Sequence, residues 1–374
     1  MELKVRTKSL IEEVVYALSI VEQKSTFPIL SHFLLNSSSG VCELAASDLE
    51  VTYRGKIEAE VIKGEAITVP AKSFAQIIRG FNNSNELLLK LNAERRLSVK
   101  PLDKKAEYFL NTLPAEDFPR LIDPPEKGFF LPLSIYKEMV KEVLVSIGLE
   151  DDRFSVSGVL FVVEPNSLIM VSTDSHRLSY SSRKIEISNE NQFRILIPRK
   201  VLQETLKFNK SDLIHIFTKD SHIFFKSGDI LLYSRLKDAK FPAYEKVIPT
   251  DVPITAVIKR ENFLESLKRI SNVADIKTKA VHLHFNSEGT IQIETRNEEG
   301  DKGEEFITCD SYNGEDIKLL LNCNYMLDFL TSIHDEYIQL KIKDRESQCL
   351  FEPLREEDKG ICKNVVMPLR ADLE

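Results

Sequence analysis

The feature that most constrains this chain is one structural plan written three times. The segments ITVPAKSFAQIIRGF from Ile67, ILIPRKVLQETLKF from Ile195 and LLLNCNYMLDFLTSIH from Leu319 each run a short apolar strand into a helix. The change of element falls at Pro70, Pro198 or Asn322, and a proline suits a helix start because its missing N–H is not needed there. Counted from that anchor the apolar positions coincide: Phe74, Ile78 and Phe81; Leu202 and Leu206; Met326, Leu330 and Ile333. With 374 residues the period is near a third of the chain, so each copy is long enough to bury a core of its own.

A second helix repeats earlier in each third. Its apolar spacing is carried by Leu10, Val14, Ala17, Leu18 and Val21, then by Ile135, Met139, Val140, Val143 and Ile147, then by Phe263, Leu264, Leu267 and Ile270. Between the helices lie alternating, β-branched stretches such as VLFVVEPNSLIMVST and HIFFKSGDILLYSRL, broken by turn residues, which read as antiparallel strands. Two thirds close on matching tails around Phe118-Pro119 and Phe241-Pro242. The expected fold class is therefore α+β: three similar domains, 1–125, 126–250 and 251–374, each with two helices packed on antiparallel sheets.

Charge limits the function classes. The formal net charge is -8, so any nucleic-acid contact has to be local rather than spread over the surface. The helices supply one such place. Lys72 and Lys200 both lie two positions after the anchoring proline, and Arg79 and Lys207 both lie nine after it. A spacing of seven is two helical turns, so each pair is expected on one face, apart from the apolar stripe. Arg199 and Lys210 add to the second copy. The third has Asn324 and Thr331 at the matching places, with Lys268 and Arg269 on its other helix. Such a face can hold phosphates without reading bases, or can simply be a solvated helix surface.

The five cysteines, Cys42, Cys309, Cys323, Cys349 and Cys362, are odd in number and form no C-x-x-C pair, which suggests neither a disulfide framework nor a zinc site. The N-terminal MELKVRTKSL has no apolar signal core and no run approaches a membrane span, so a cytoplasmic protein with no membrane association is expected. No phosphate-binding glycine loop is present, and no cofactor is expected.

Three repeats, TDSHRL at 173–178, KFPAYEKVIP at 240–249, TLPAEDFP at 112–119 and the terminal VVMPLR at 365–370 together resemble the bacterial DNA polymerase III β subunits, the sliding clamps, over nearly the whole length. The resemblance implies a ring-forming, head-to-tail homodimer of three-domain subunits that encircles double-stranded DNA without sequence preference. It would tether the replicative polymerase catalytic subunit, and would be met by a clamp loader and by other proteins carrying a clamp-binding motif. It adds Lys24, Arg153 and Phe154 to the DNA contacts; Ser155 follows Phe154 where relatives carry a second aromatic. It places a partner-peptide pocket at Val156, Thr173, Ser175, His176, Arg177, Leu178, Pro242, Lys246, Val247, Tyr325, Val365, Val366, Met367, Pro368, Leu369 and Arg370. Here Ser175 stands where a glycine is usual and Thr278 where a bulkier wall is common. The implied subunit interface sets Tyr108 and Leu110 against Asn272 and Val273, with Glu298, Glu299 and Glu304 facing Lys104 or Lys105. Read without relatives, VVMPLR is more simply a last strand packed in the core.

A different class, a hydrolase or nucleotide-binding enzyme on repeated α+β domains, would need a site. Thr173-Asp174-Ser175-His176 brings a carboxylate near an imidazole, but the partners of a triad are not visible. His282 and His284 share a strand face, and without a nearby third ligand they make a poor metal site.

Overall fold

The computed structural model describes residues 1–22, 26–148, 157–186 and 192–369. Six α-helices stand among them: α1 Thr7–Leu18, α2 Ala71–Gly80, α3 Leu133–Leu144, α4 Arg199–Thr205, α5 Arg260–Ile270 and α6 Cys323–Ser332. Two fall in each third, as the repeat predicts. Phe263, Leu264, Leu267 and Ile270, the apolar stripe read from spacing, are all buried on α5, and Phe74 and Ile78 do the same on α2.

The helix starts differ in detail from the sequence reading. Pro70 is not the first helical residue but the end of strand Ala66–Pro70 and the residue preceding the helix. Its fixed φ of -59° suits both roles. In the third copy the capping is explicit, because the Asn322 side chain accepts from the backbone N–H of Asn324 and Tyr325.

By contacts the chain divides into two compact units, residues 1–134 with 200–236, and residues 135–199 with 237–374. The central third is thus shared between them. In the first unit a nine-stranded sheet runs in the order Leu113–Pro114, Ala66–Pro70, His32–Asn36, Cys42–Ser47, Val51–Ile57, Ile230–Arg235, His222–Ser227, Leu213–Lys219, Phe129–Pro132. Its middle is a seam between thirds, where Tyr53 pairs with Leu232 and Arg54 with Leu231. A five-stranded sheet ends on Tyr108–Asn111.

The second unit repeats the design. Its nine-stranded sheet runs Phe193–Pro198, Gly158–Glu164, Ser167–Thr173, Arg177–Lys184, Ile361–Val366, Cys349–Pro353, Tyr337–Ile342, Ile254–Lys259, Ser311–Asn313. The seam is the pairing of Arg177 with Val366 and Leu178 with Val365. A four-stranded sheet is ordered Lys302–Thr308, Thr290–Arg296, Ala280–Phe285, Ile317–Asn322. Below the seam a buried charge network holds α3: Arg355 reaches Glu142 at 2.8 Å and Asp335 at 2.5 Å, and Arg183 reaches the same Glu142 oxygen at 3.0 Å. Charges so far from water are stable only when all are partnered, so the network enforces one mutual placement of helix and strands.

Candidate functional site

The second unit's seam gathers most of the predicted pocket residues. Strand Arg177–Lys184 begins at a tight turn that Asp174 braces. Its Oδ1 accepts the backbone N–H groups of His176 at 3.1 Å and Arg177 at 2.9 Å, and its Oδ2 accepts Arg177 Nε at 2.9 Å. Ser175 takes the left-handed conformation, φ +74°, which is why glycine suits this position. With both oxygens of Asp174 engaged in the turn, the carboxylate does not orient the His176 ring, and the dyad considered from sequence is a turn brace.

From that turn Arg177 extends across to α6. Its Nη1 lies 2.7 Å from Asp328 Oδ2, and its guanidinium sits 4.4 Å above the Tyr325 ring centroid. His176 stacks on the other partner of the group, its ring 6.4 Å from that of Tyr325. Burial raises the Tyr325 phenol above its ordinary pKa, with Asp174 adding to the effect. The last strand then leaves the sheet beside these groups: Met367 N–H donates to the His176 carbonyl and Leu369 N–H to that of Leu320, both at 2.9 Å.

VVMPLR is therefore divided. Val366 is fully buried and packs with Met326, Phe329 and Phe351 in the core, so its part in a surface site is indirect. Val365, on the opposite face of the strand, joins Leu178, Leu350, Phe241 and Tyr244, with Val247 packed against them. Met367 is exposed, Pro368 and Leu369 are half-buried, and Pro242 and Lys246, close to Val247 in sequence, are exposed. Met367 and Leu369 leave the strand beside His176 and Arg177, while Val247 packs on the Val365 face. Thr278 donates to Asp275 at 2.9 Å and its carbonyl accepts from Asn322, which ties it to the start of α6. Val156 and Arg370 lie outside the described residues, as do Lys24, Arg153 and Phe154.

The cations differ between copies. Lys72 and Arg79 are exposed on α2 and have no carboxylate partner among the described residues. In the second copy α4 stops at Thr205, so Lys207 is set by the following turn, Lys207 N–H to the Glu204 carbonyl, and not by two full helical turns. Lys200 is paired with Asp48, Lys207 with Glu204 at 2.6 Å, and Lys210 with Glu12 at 2.8 Å and Glu13 at 3.5 Å. Burial raises the Glu13 carboxyl pKa, opposed by the Tyr53 hydroxyl and Lys210. Gly55 makes this possible, since a Cβ there would stand 2.1 Å from the Glu13 oxygen. Burial works to lower the Lys210 ammonium pKa, but Glu12 and Glu13 hold it above its ordinary value. Arg199 donates to the Ile147 carbonyl at 3.4 Å. On α5, Lys268 pairs with Glu265 and Arg269 with Glu305, each at 2.7 Å.

Of the implied interface residues, Tyr108 and Leu110 lie on the edge strand of the five-stranded sheet, Tyr108 exposed and Leu110 buried. Asn272 and Val273 follow α5; Asn272 donates to the Lys268 carbonyl at 3.1 Å, and Gly303 leaves room for Val273 over the edge strand Lys302–Thr308. Sequence reasoning missed the third group beside His282 and His284. Glu294 stands directly opposite His282 in the next strand, a register that no sequence spacing reveals.

Comparison with known proteins gives one family throughout. The family descriptions of the DNA polymerase III beta subunit match in order: the N-terminal domain over residues 1–122, the central domain over 131–243 and the C-terminal domain over 245–370. The beta sliding clamp of Pseudomonas putida is 29% identical over 375 residues, covering 99% of this chain and 100% of the relative. That of Escherichia coli K12 is 28% identical, covering 93% of each. Among solved structures, the DNA polymerase III subunit beta of Pseudomonas aeruginosa superposes with a TM-score of 0.91 at 27% identity, over 99% of this chain and 100% of that one. The Bacillus subtilis sliding clamp has the same fold, with a TM-score of 0.93 at 23% identity over 99% of each chain.

Proposed function

The chain belongs to the DNA polymerase III beta subunit family, the sliding clamps, and on that premise we propose that it encircles duplex DNA as a head-to-tail homodimer and docks its partners by short peptides. The observation that carries this reading is the order and extent of the three domain matches, which follow one another over nearly the whole chain. The three domains are taken as 1–125, 126–250 and 251–374, each third keeping its two helices.

Duplex DNA is held by Lys72 and Arg79, which are free to meet phosphates, and by Lys24, Arg153, Phe154, Arg199, Lys200, Lys207 and Lys210. The last three must exchange a carboxylate for a phosphate, so they serve as a reserve that engages when DNA is near. The ring closes when the edge strand Tyr108–Asn111 of one subunit meets Lys302–Thr308 of the other, each a row of backbone groups suited to strand addition. The replicative polymerase, the clamp loader and other motif-bearing proteins share the groove at Leu178, Val247, Tyr325, Met367 and Leu369. The chain itself is non-catalytic and works in the cytoplasm, and opening the ring is the loader's task.

The test is retention on DNA. After loading, the protein should stay on closed circles and be lost from the same circles once linearised. Equal loss from both forms would remove encirclement.

A further inference from the structure

We infer that His282, His284 and Glu294 bind one divalent ion of the zinc class on the solvent face of the four-stranded sheet. His282 and His284 alternate with buried Val281, Leu283 and Phe285 along one strand, so both rings emerge on the same side. Glu294 is the direct cross-strand partner of His282, and its burial pattern puts it on that side too. Ligand atoms of the three residues all lie within 4.8 Å of one another.

The distances suit a small tetrahedral ion. Bonds of about 2.0 Å set the ligand atoms of such an ion roughly 3.3 Å apart. His284 Nε2 and Glu294 Oε1 are already 3.2 Å apart. The two imidazole planes are nearly perpendicular, at 86°, with centroids 6.1 Å apart. Among the described residues Lys318 competes for the carboxylate, 3.5 Å from the same oxygen. Lys318 is half exposed and can turn to solvent, leaving two imidazole nitrogens and one carboxylate oxygen.

That donor set chooses the metal. Imidazole nitrogens favour zinc over magnesium or calcium, which demand oxygen. Three protein ligands leave a fourth position for water, and two adjacent strands become cross-linked. Because the folded register creates the site, binding raises stability by mass action.

The experiment uses the full-length protein, freed of metal with a chelator that is then removed. Zinc chloride is titrated against a chromophoric competitor, and cobalt is added to a parallel sample. Expected are one zinc per chain, intense visible cobalt bands of a tetrahedral site, and no competition from excess magnesium. H284A should weaken zinc binding by at least about 100-fold and E294Q by at least about tenfold, since even the removal of a group behind a ligand costs 10–100-fold. Unchanged melting of both variants without zinc separates loss of a ligand from loss of fold. A weak octahedral cobalt spectrum on the wild type, or equal zinc affinity of wild type and H282A/H284A, would overturn the site; the cobalt result requires no variant.

Discussion

Arg177 lies 4.4 Å over the face of Tyr325 while its Nη1 holds Asp328 at 2.7 Å, so one side chain joins a hairpin turn of the central third to α6 of the last. A guanidinium can do both at once because its donors lie in the plane and its face stays free for the ring. His176 stacks on the same tyrosine, and the chain leaving the last strand is hydrogen-bonded to His176.

Replacing Arg177 by alanine should therefore loosen the proposed groove as well as remove a donor. A cost of about 1–3 kcal/mol in folding stability is expected from the charge-assisted bonds to Asp174 and Asp328. R177K should recover less than half, because a lysine cannot keep the fork and the stack together. Urea titration reads the stability and titration of a labelled motif peptide reads the groove. Wild-type affinity in R177A would detach this cluster from peptide binding.

The cations are predicted to behave differently in the two copies. Lys72 and Arg79 have no carboxylate partner among the described residues, and K72A/R79A should lower the slope of log affinity against log salt by roughly two, with little effect on folding. Asp48 is nearly buried, and Lys200 is its charged partner. K200A should cost about 1–3 kcal/mol of stability by leaving that carboxylate short of a partner, besides any loss in DNA contact. Salt-dependent DNA binding and melting of both variants distinguish the classes; equal effects in both assays would mean the ion pairs do not persist.

This contrast marks what could be read from the sequence. The helices were legible because a 3.6-residue apolar period and a fixed anchor are local properties, and the α5 stripe is buried as spacing implied. The seams were not, because Val51–Ile57 alternates in the same way whether it meets its own third or the next; only the structure pairs Tyr53 with Leu232. Nor could spacing show that Lys200 meets Asp48, 152 positions away, or that Glu294 faces His282. The early end of α4 at Thr205 escaped for a related reason: the apolar pattern continues to Leu206 and Phe208 although the backbone has already turned.

Burial pushes the thiols of Cys42, Cys323 and Cys349 up to about 12. An acid whose folded pKa is raised stays protonated in the native state while the unfolded chain ionises. The unfolded state therefore holds fewer protons between the ordinary thiol pKa and about 12, and stability falls as pH rises through that window. Each thiol contributes at most about 1.4 kcal/mol per pH unit there. Melting of wild type and C349A at pH 8 and pH 10 should show a shallower fall in the variant. A maleimide should label these cysteines only on unfolding; rapid labelling of the native protein would contradict their burial.

The final prediction concerns the last strand, where adjacent residues have opposite roles. Val366 is fully buried among Met326, Phe329 and Phe351, whereas Met367, the next residue, is exposed beside His176. Truncating Met367 and Leu369 together removes the apolar anchors of the proposed groove, and central anchors commonly carry about 2 kcal/mol, or roughly a thirtyfold loss of affinity. A motif peptide with glutamine, leucine and phenylalanine should bind M367A/L369A correspondingly poorly. Sedimentation should still show the proposed dimer, because neither residue lies on the strands proposed to close it, Tyr108–Asn111 and Lys302–Thr308. V366A should do the reverse, costing about 1–3 kcal/mol of stability through the cavity it leaves while the surface contacts of the peptide stay in place. Peptide affinity falling equally in V366A and M367A/L369A, at matched fractions of folded protein, would mean that the groove is shaped from the core outward.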